Sequence, residues 1–165
     1  MNIYVPVPKC SPKITDEVLK SVAAQTVPCS LVVVPSVENV GIPQGGIYSP
    51  DRLNSESEAR ILIQQQVRDD PNDFVGLTDQ TIVFINPDAV KIMLQQFTDS
   101  QIGAVFNKRD LKTHVRLGPS VWRKQCFLDA NFTVRDYGRC MCNSVLDSIK
   151  RKWQIVEIPD TLVRK

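Results

Sequence analysis

Residues 72–88 read Asn-Asp-Phe-Val-Gly-Leu-Thr-Asp-Gln-Thr-Ile-Val-Phe-Ile-Asn-Pro-Asp, and their reading decides the fold. Phe74 to Leu77 is a short apolar run, expected as a buried strand. Thr78, Asp79 and Gln80 form a polar turn at its carboxyl end. A helix is expected next, because Asn86 is a good N-cap and Pro87 suits the first helical position. In an open α/β sheet, ligands gather outside the carboxyl ends of the strands. A carboxylate placed there can hold a divalent metal or meet a polar ligand. The turn is therefore the candidate functional site.

Toward the N-terminus the pattern is strand, helix, strand. Residues 3–7 are expected as a strand bounded by Pro6 and Pro8, and Ser11-Pro-Lys as a turn. A helix is expected over residues 15–25, with Thr15 as cap and Asp16 and Glu17 in the first turn, where the helix dipole favours acids. Val18, Leu19, Val22 and Ala23 form its apolar stripe. The Val-rich run 31–34 reads as a parallel strand covered on both faces. Together these make a βαβ unit.

Residues 36–54 are rich in Gly, Pro, Ser and Asn and long for a structureless connection, so they are expected as a flexible rim of the ligand cleft. Ser55-Glu-Ser-Glu58 is a capping box, which would start a helix running to about Arg68 with Ala59, Leu62, Ile63 and Val67 inward. Asp69 and Asp70 precede the central strand, at the wrong edge of the sheet for a site, and are expected as surface charges.

Toward the C-terminus, a helix over residues 87–97 would bury Val90, Met93, Leu94 and Phe97, and residues 102–106 would form the next strand. A basic segment follows: Lys108, Arg109, Lys112, His114 and Arg116, then Arg123 and Lys124. Alternation over residues 113–117 suggests a half-exposed strand. A helix over residues 143–150 and a strand over residues 153–158 close the pattern.

The bulk numbers narrow the class. A chain of 165 residues suits one domain with a sizeable core, and 42% hydrophobic with 23% charged residues is ordinary for a globular protein. A net charge of +2 is too small to imply nucleic acid by itself. No apolar run approaches the roughly 18 residues of a membrane helix. The first residues lack the basic flank and apolar core of a secretory signal. The five cysteines are odd in number and irregularly spaced, which with no export signal points to reduced thiols in the cytoplasm. Cys140-Met-Cys142 invites a zinc reading, but His114 is the only histidine and no second cysteine pair completes four ligands.

Several stretches resemble GT-A glycosyltransferases, most closely the inverting family 2. They are the Val5-Pro-Val-Pro8 opening, the segment Leu19-Lys-Ser-Val-Ala-Ala-Gln-Thr-Val-Pro28, the Val-rich second strand, Glu58-Ala-Arg60, and the strand, turn and Pro87-Asp88 of the central stretch. Gly118-Pro-Ser-Val-Trp-Arg-Lys-Gln-Cys-Phe127 is similar to the family's apolar-Arg-helix stretch, and residues 128–132 stand where it often has a Gly-Gly-Phe turn. The resemblance implies a single GT-A domain over residues 1–165: an α/β, Rossmann-like, three-layer α/β/α sandwich with a mostly parallel sheet. It implies a nucleotide-binding half, 1–100, and an acceptor-side half, 101–165.

The chain departs from the family pattern at three places. Thr78 and Gln80 stand where the two acids of the D-x-D turn usually sit, leaving only Asp79. Pro35 and Ser36 occupy the position of the acid that holds the nucleotide. Cys140, Met141 and Cys142 precede the helix where a Glu-Asp pair normally supplies the base.

The function implied is transfer of a sugar from a nucleotide-sugar donor to an unknown glycan, lipid or protein acceptor, a hexosyltransferase-type activity with incomplete catalytic motifs. Pro8, Pro35, Arg60, Thr78, Asp79 and Gln80 would contact the donor, with Arg60 near its phosphates. Asp79 would meet Mn²⁺ or Mg²⁺, and Asp136, the nearest upstream acid, would be the base. Arg60, Arg116, Arg123 and Lys124 offer metal-free neutralisation of the diphosphate instead. Two other readings stay open: a non-catalytic GT-A domain that binds a nucleotide, glycan or protein, and a nucleic-acid or polyanion module built on the basic segment from Lys108 to Lys124, with Trp122 and Phe106 for stacking.

Overall fold

The computed structural model describes residues 1–7, 14–35, 50–107, 119–132, 141–159 and 162–164. In chain order the elements are β1 (Asn2–Val7), α1 (Asp16–Ala23), β2 (Ser30–Pro35), α2 (Pro50–Asp69), β3 (Phe74–Leu77), β4 (Val83–Phe84), α3 (Ala89–Leu94), β5 (Ile102–Asn107), β6 (Ser120–Arg123), α4 (Lys124–Asp129), α5 (Met141–Ile149), β7 (Gln154–Ile158) and β8 (Val163–Arg164).

Among the described residues, six strands form one sheet in the order β2-β1-β3-β6-β5-β7. β1 is parallel to β2 and β3, and β5 is parallel to β7. β6 runs antiparallel to both its neighbours, β3 and β5. One row crosses most of the sheet: Tyr4 pairs with Leu77, Leu77 with Ser120, Ser120 with Phe106 and Phe106 with Glu157. Everything just past Tyr4, Leu77 and Phe106 therefore lies at the carboxyl edge of the parallel strands.

Side-chain alternation along the strands splits the core into two layers. On one face Tyr4, Leu77, Phe106 and Trp122 pack with Ile63 and Val67 of α2, Phe127 of α4 and Ile149 of α5. Edge-on ring contacts link Phe106 to Trp122 (5.2 Å) and Trp122 to Phe127 (5.4 Å). On the other face Ile3, Val105 and Val121 pack with Val22 of α1, Val90 and Met93 of α3, and Ile82, Leu162 and Val163. The result is the expected three-layer α/β/α arrangement around a mostly parallel sheet. Cys29 and Cys126 are free thiols.

Several expectations are corrected. β2 is an edge strand, not one covered on both faces: among the described residues it pairs only with β1, and Val33 is 46% exposed. The helix α2 starts at Pro50, so residues 50–54 are helix rather than loop, and Ser55 and Glu58 lie within it instead of capping it. α3 starts at Ala89, after a turn in which the Asp88 N–H donates to Asn86 Oδ1 (2.8 Å), so Asn86 organises the turn rather than the helix end. The ribbon of β4 and β8 was not expected from the sequence. The strand read at residues 113–117 and the rim at residues 36–49 lie outside the described residues.

Candidate functional site

The central turn is held at both ends. The Thr78 N–H donates to the Tyr4 carbonyl (3.0 Å), carrying the β1–β3 pairing one residue past the strand. The Ile82 N–H donates to the Asp79 carbonyl (3.1 Å) and closes the turn. Ile82, Val83 and Phe84 then bury into the second core layer, fixing where the turn stops. Thr78 and Gln80 are buried, at 0% and 7% exposure, while Asp79 between them is half-buried. Val7 pairs with Pro35 at the ends of β1 and β2. Val7, Pro35 and Asp79 thus share one rim, as the sequence led us to expect. Pro8, the next residue along, lies outside the described residues.

Arg60 also belongs at this height. About 15 Å of helix separates it from Asp70, which sits at the amino edge. β3 spans roughly 13 Å, so Arg60 comes level with its carboxyl end. At 2% exposure Arg60 is not a solvated helix charge.

Arg123 and Lys124 are at the other edge, because β6 is antiparallel and its carboxyl end meets the amino ends of its neighbours. Arg123 pairs with Phe74, donates from Nε to the Ile102 carbonyl (2.9 Å), and lies over the Phe74 ring at 5.2 Å. Lys124 Nζ donates to the Asp70 carbonyl (2.6 Å). Neither reaches the turn, so the metal-free arrangement expected from them is not built as expected. Arg116 and Asp136, like Lys108, Arg109, Lys112 and His114, lie outside the described residues.

Asp70 is not a surface charge either. It is 4% exposed, and its carboxylate accepts from Tyr4 Oη (2.7 Å), Asn2 Nδ2 (2.9 Å), the Asn72 N–H (2.9 Å) and Asn72 Nδ2 (2.7 Å). Burial pushes its carboxyl upward, but the hydrogen bonds from Asn72, Tyr4 and Asn2 outweigh this and hold it below the usual carboxylate range. It ties β1 to the β3 entry and has no part in the rim. Asp69 is exposed, as expected.

Asn107 is a buried polar residue at the carboxyl edge that sequence reasoning did not single out. It ends β5 at the same edge as Thr78 and is 3% exposed. Its side-chain Nδ2 donates to the Pro159 carbonyl (2.7 Å) and its backbone N–H to the Pro119 carbonyl (3.1 Å). Among the described residues, Thr78 Oγ1 and Asn107 Oδ1 are buried side-chain oxygens with no hydrogen-bond partner. The available signal was a polar residue directly following an apolar strand, which reads as a strand end rather than a site.

The fit to a divalent metal follows from the donor set. Among the described residues no three His, Cys, Asp or Glu side chains cluster. The turn offers one carboxylate, Asp79, flanked by the oxygens of Thr78 and Gln80. Mg²⁺ in nucleotide sites is held by one or two carboxylates, with phosphate and water oxygens completing the shell. The turn fits a metal that arrives with a diphosphate, not an all-protein cage. No helix among the described residues is long and apolar enough to cross a membrane.

No protein-family model matches the sequence, and no curated protein matches it. Solved structures do match. The mannosyltransferase PcManGT from Pyrobaculum calidifontis, in complex with GDP-Man and Mn²⁺, aligns with a TM-score of 0.65 at 14% identity over 99% of this chain and 56% of its own. Glucosyl-3-phosphoglycerate synthase from Mycobacterium tuberculosis, with Mn²⁺ and UDP-glucose, aligns with a TM-score of 0.62 at 13% identity over 99% and 70%. A Drosophila β-1,4-galactosyltransferase 7 variant, with manganese, UDP-Gal and xylobiose, aligns with a TM-score of 0.57 at 13% identity over 94% and 63%. The chain therefore spans little more than half the length of the mannosyltransferase. At these identities the likeness is one of architecture: the chain has the mixed α/β, GT-A-type fold of nucleotide-sugar transferases.

Proposed function

We propose that the protein is a glycosyltransferase that moves a hexosyl group from a nucleotide-sugar to an acceptor hydroxyl. The observation that carries this reading is the shared rim of β1, β2 and β3, with half-buried Asp79 between buried Thr78 and Gln80. Arg60 lies buried at the same height. The neighbours' complexes lend support, since all three pair a nucleotide-sugar with manganese. The resemblance to inverting family 2 in the first 100 residues points the same way.

In this reading the nucleotide lies over β1 and β2, with Pro8 and Pro35 against it, and the diphosphate reaches the turn. Asp79 would hold Mn²⁺ or Mg²⁺ beside the diphosphate. Such an ion supplies charge neutralisation of the leaving group. Arg60 adds a second positive charge, and the Thr78 hydroxyl can donate to a phosphate oxygen. The acceptor oxygen forms a bond to the anomeric carbon from the face opposite the diphosphate. The bond from that carbon to the diphosphate breaks, and the nucleoside diphosphate leaves with the electron pair. The acceptor proton passes to a carboxylate, for which Asp136 is the candidate. Residues 1–100 form the nucleotide side and residues 101–165 the acceptor side.

The test is thermal unfolding with UDP-glucose, UDP-galactose and GDP-mannose, each with and without Mn²⁺. A donor present at 100 times its Kd stabilises by about 2.7 kcal/mol. For a chain of this size that corresponds to roughly 5–10 °C in Tm. No shift with any nucleotide-sugar or nucleoside diphosphate at millimolar concentration would refute the reading. Binding with no turnover on any acceptor would leave a nucleotide-binding GT-A domain without transferase activity.

A further inference from the structure

We propose that Asn107 is a sugar-binding residue, whose side-chain carbonyl accepts a hydrogen bond from a hydroxyl of the hexose carried by the donor. This builds on the nucleotide-sugar reading above and names a contact within the same site.

The position comes from the sheet order. β5 lies two strands beyond β3, with β6 between them. Neighbouring strands are about 4.8 Å apart, so the ends of β3 and β5 are separated by roughly 10 Å along the rim. β1 and β2 lie on the opposite side of β3. A diphosphate at Asp79 with its nucleoside over β1 and β2 therefore extends its sugar toward β6 and β5, where Asn107 stands.

The chemistry comes from the amide's orientation. Asn107 Nδ2 donates to the Pro159 carbonyl at 2.7 Å. Flipping the amide would set two carbonyl oxygens against each other at that distance. The backbone is fixed as well, by the N–H of Asn107 on the Pro119 carbonyl (3.1 Å) and by register with Ile158 of β7. Oδ1 is thus locked as an acceptor, buried, with no partner. Leaving a buried acceptor unsatisfied is unfavourable, and such groups in native proteins call for an explanation.

The missing partner must be a donor. A diphosphate has only acceptor oxygens at neutral pH and cannot serve. A sugar hydroxyl can. Thr78 Oγ1, the other orphaned oxygen, is a hydroxyl and can donate to phosphate. The two orphans therefore suit different parts of one donor: Thr78 the diphosphate, Asn107 the hexose. Because Asn107 Oδ1 and Thr78 Oγ1 are both shielded in the free chain, engaging either requires a local rearrangement on binding.

The experiment is calorimetric titration of the wild type, Asn107→Ala and Asn107→Ser with Mn²⁺ and four ligands: UDP, UDP-glucose, GDP and GDP-mannose. The affinity for the preferred nucleotide-sugar is expected to fall about tenfold in Asn107→Ala, the scale of one hydrogen bond to a buried acceptor. The affinity for the matching nucleoside diphosphate is expected to stay within about twofold. Monodeoxy forms of the preferred donor give a readout independent of any variant's folding. One of them should weaken wild-type binding by about the same factor and leave Asn107→Ala unaffected.

Nucleotide-sugar and nucleotide affinities that change together in both variants would overturn the inference alone. So would a wild type that tolerates every monodeoxy donor equally. A wild type that binds no nucleotide at all would overturn the nucleotide-sugar reading, and this inference with it.

Discussion

Replacing Asp70 by alanine tests the amino edge of the sheet quantitatively. The substitution deletes four hydrogen bonds to one carboxylate: from Tyr4 Oη, Asn2 Nδ2, the Asn72 N–H and Asn72 Nδ2. Asn2 and Asn72 are only half-buried and can turn to water. Tyr4 is 3% exposed, and its hydroxyl would be stranded. An unsatisfied buried donor costs about 1–3 kcal/mol, and each lost bond to a charged group a comparable net amount before overlap. Since the four bonds share one carboxylate and do not add, about 3–4 kcal/mol is expected in total.

Asp70→Asn should cost less, about 1–2 kcal/mol, because its oxygen can keep Asn72 while the Tyr4 hydroxyl rotates to accept from the new amide. At roughly 2–4 °C per kcal/mol, the alanine variant should melt about 6–16 °C lower and the asparagine variant about 2–8 °C lower. Urea unfolding at pH 7, followed by the fluorescence of Trp122 and Trp153, measures both.

The acid limb supplies a second check. The Asp70 carboxyl is held below its ordinary value in the folded chain. Its contribution is therefore fully present above the unfolded pKa of about 3.9 and is lost as pH falls through the folded value. The gap between wild type and Asp70→Asn should narrow below about pH 4. An alanine variant that loses less than about 1 kcal/mol would refute the tie, since that is the scale of an exposed charge.

Three further predictions concern packing and hydrogen bonding away from the turn. Gly103→Ala would place a Cβ 2.5 Å from Cys126 Sγ and 2.8 Å from Trp153 Cβ, and overpacking of this kind should cost about 1–3 kcal/mol in thermal or urea unfolding. Gln64 Nε2 donates to the carbonyls of Phe127 (3.0 Å), Leu128 (3.0 Å) and Ala130 (2.8 Å), serving the C-terminal end of α4. Gln64→Glu would turn a carboxylate toward those oxygens and cost about 2 kcal/mol at neutral pH. Repulsion would raise that carboxyl's folded pKa, so the deficit should shrink as pH falls through it, which unfolding across pH 4–7 will show. Arg123→Ala should lower stability by about 1 kcal/mol, through lost bonds to the Ile102 and Asp99 carbonyls, and leave nucleotide-sugar affinity unchanged. A tenfold loss of affinity would contradict its placement at the far edge.

Much of the architecture was legible because local signals agreed with the fold. The apolar run from Phe74 to Leu77 became β3, and Thr15 caps α1, its hydroxyl accepting from the Val18 N–H at 3.4 Å. What the sequence hid was non-local. The β4–β8 ribbon joins residues some eighty positions apart, and neither two-residue strand has a period of its own. The antiparallel course of β6, which sends Arg123 and Lys124 away from the turn, depends on pairing that no local pattern encodes. Asp70 was misjudged because an acid beside proline reads as a solvated turn, while its burial depends on Tyr4, sixty-six residues earlier. At the site, Asp79 stood out by its place after a strand. Asn107 did not, because its significance lies in an amide locked by Pro159 and not in any motif.

The central claim is that Asp79 meets a metal-associated diphosphate at the rim shared by β1, β2 and β3. Titrating UDP and GDP into the wild type and Asp79→Asn, with Mn²⁺ and then with excess EDTA, tests it most directly. The account predicts Mn²⁺-dependent binding to the wild type, weakened at least about tenfold by Asp79→Asn in the presence of metal, as expected for loss of a charged ligand. Equal affinities for wild type and Asp79→Asn would contradict it, as would binding that EDTA leaves unchanged.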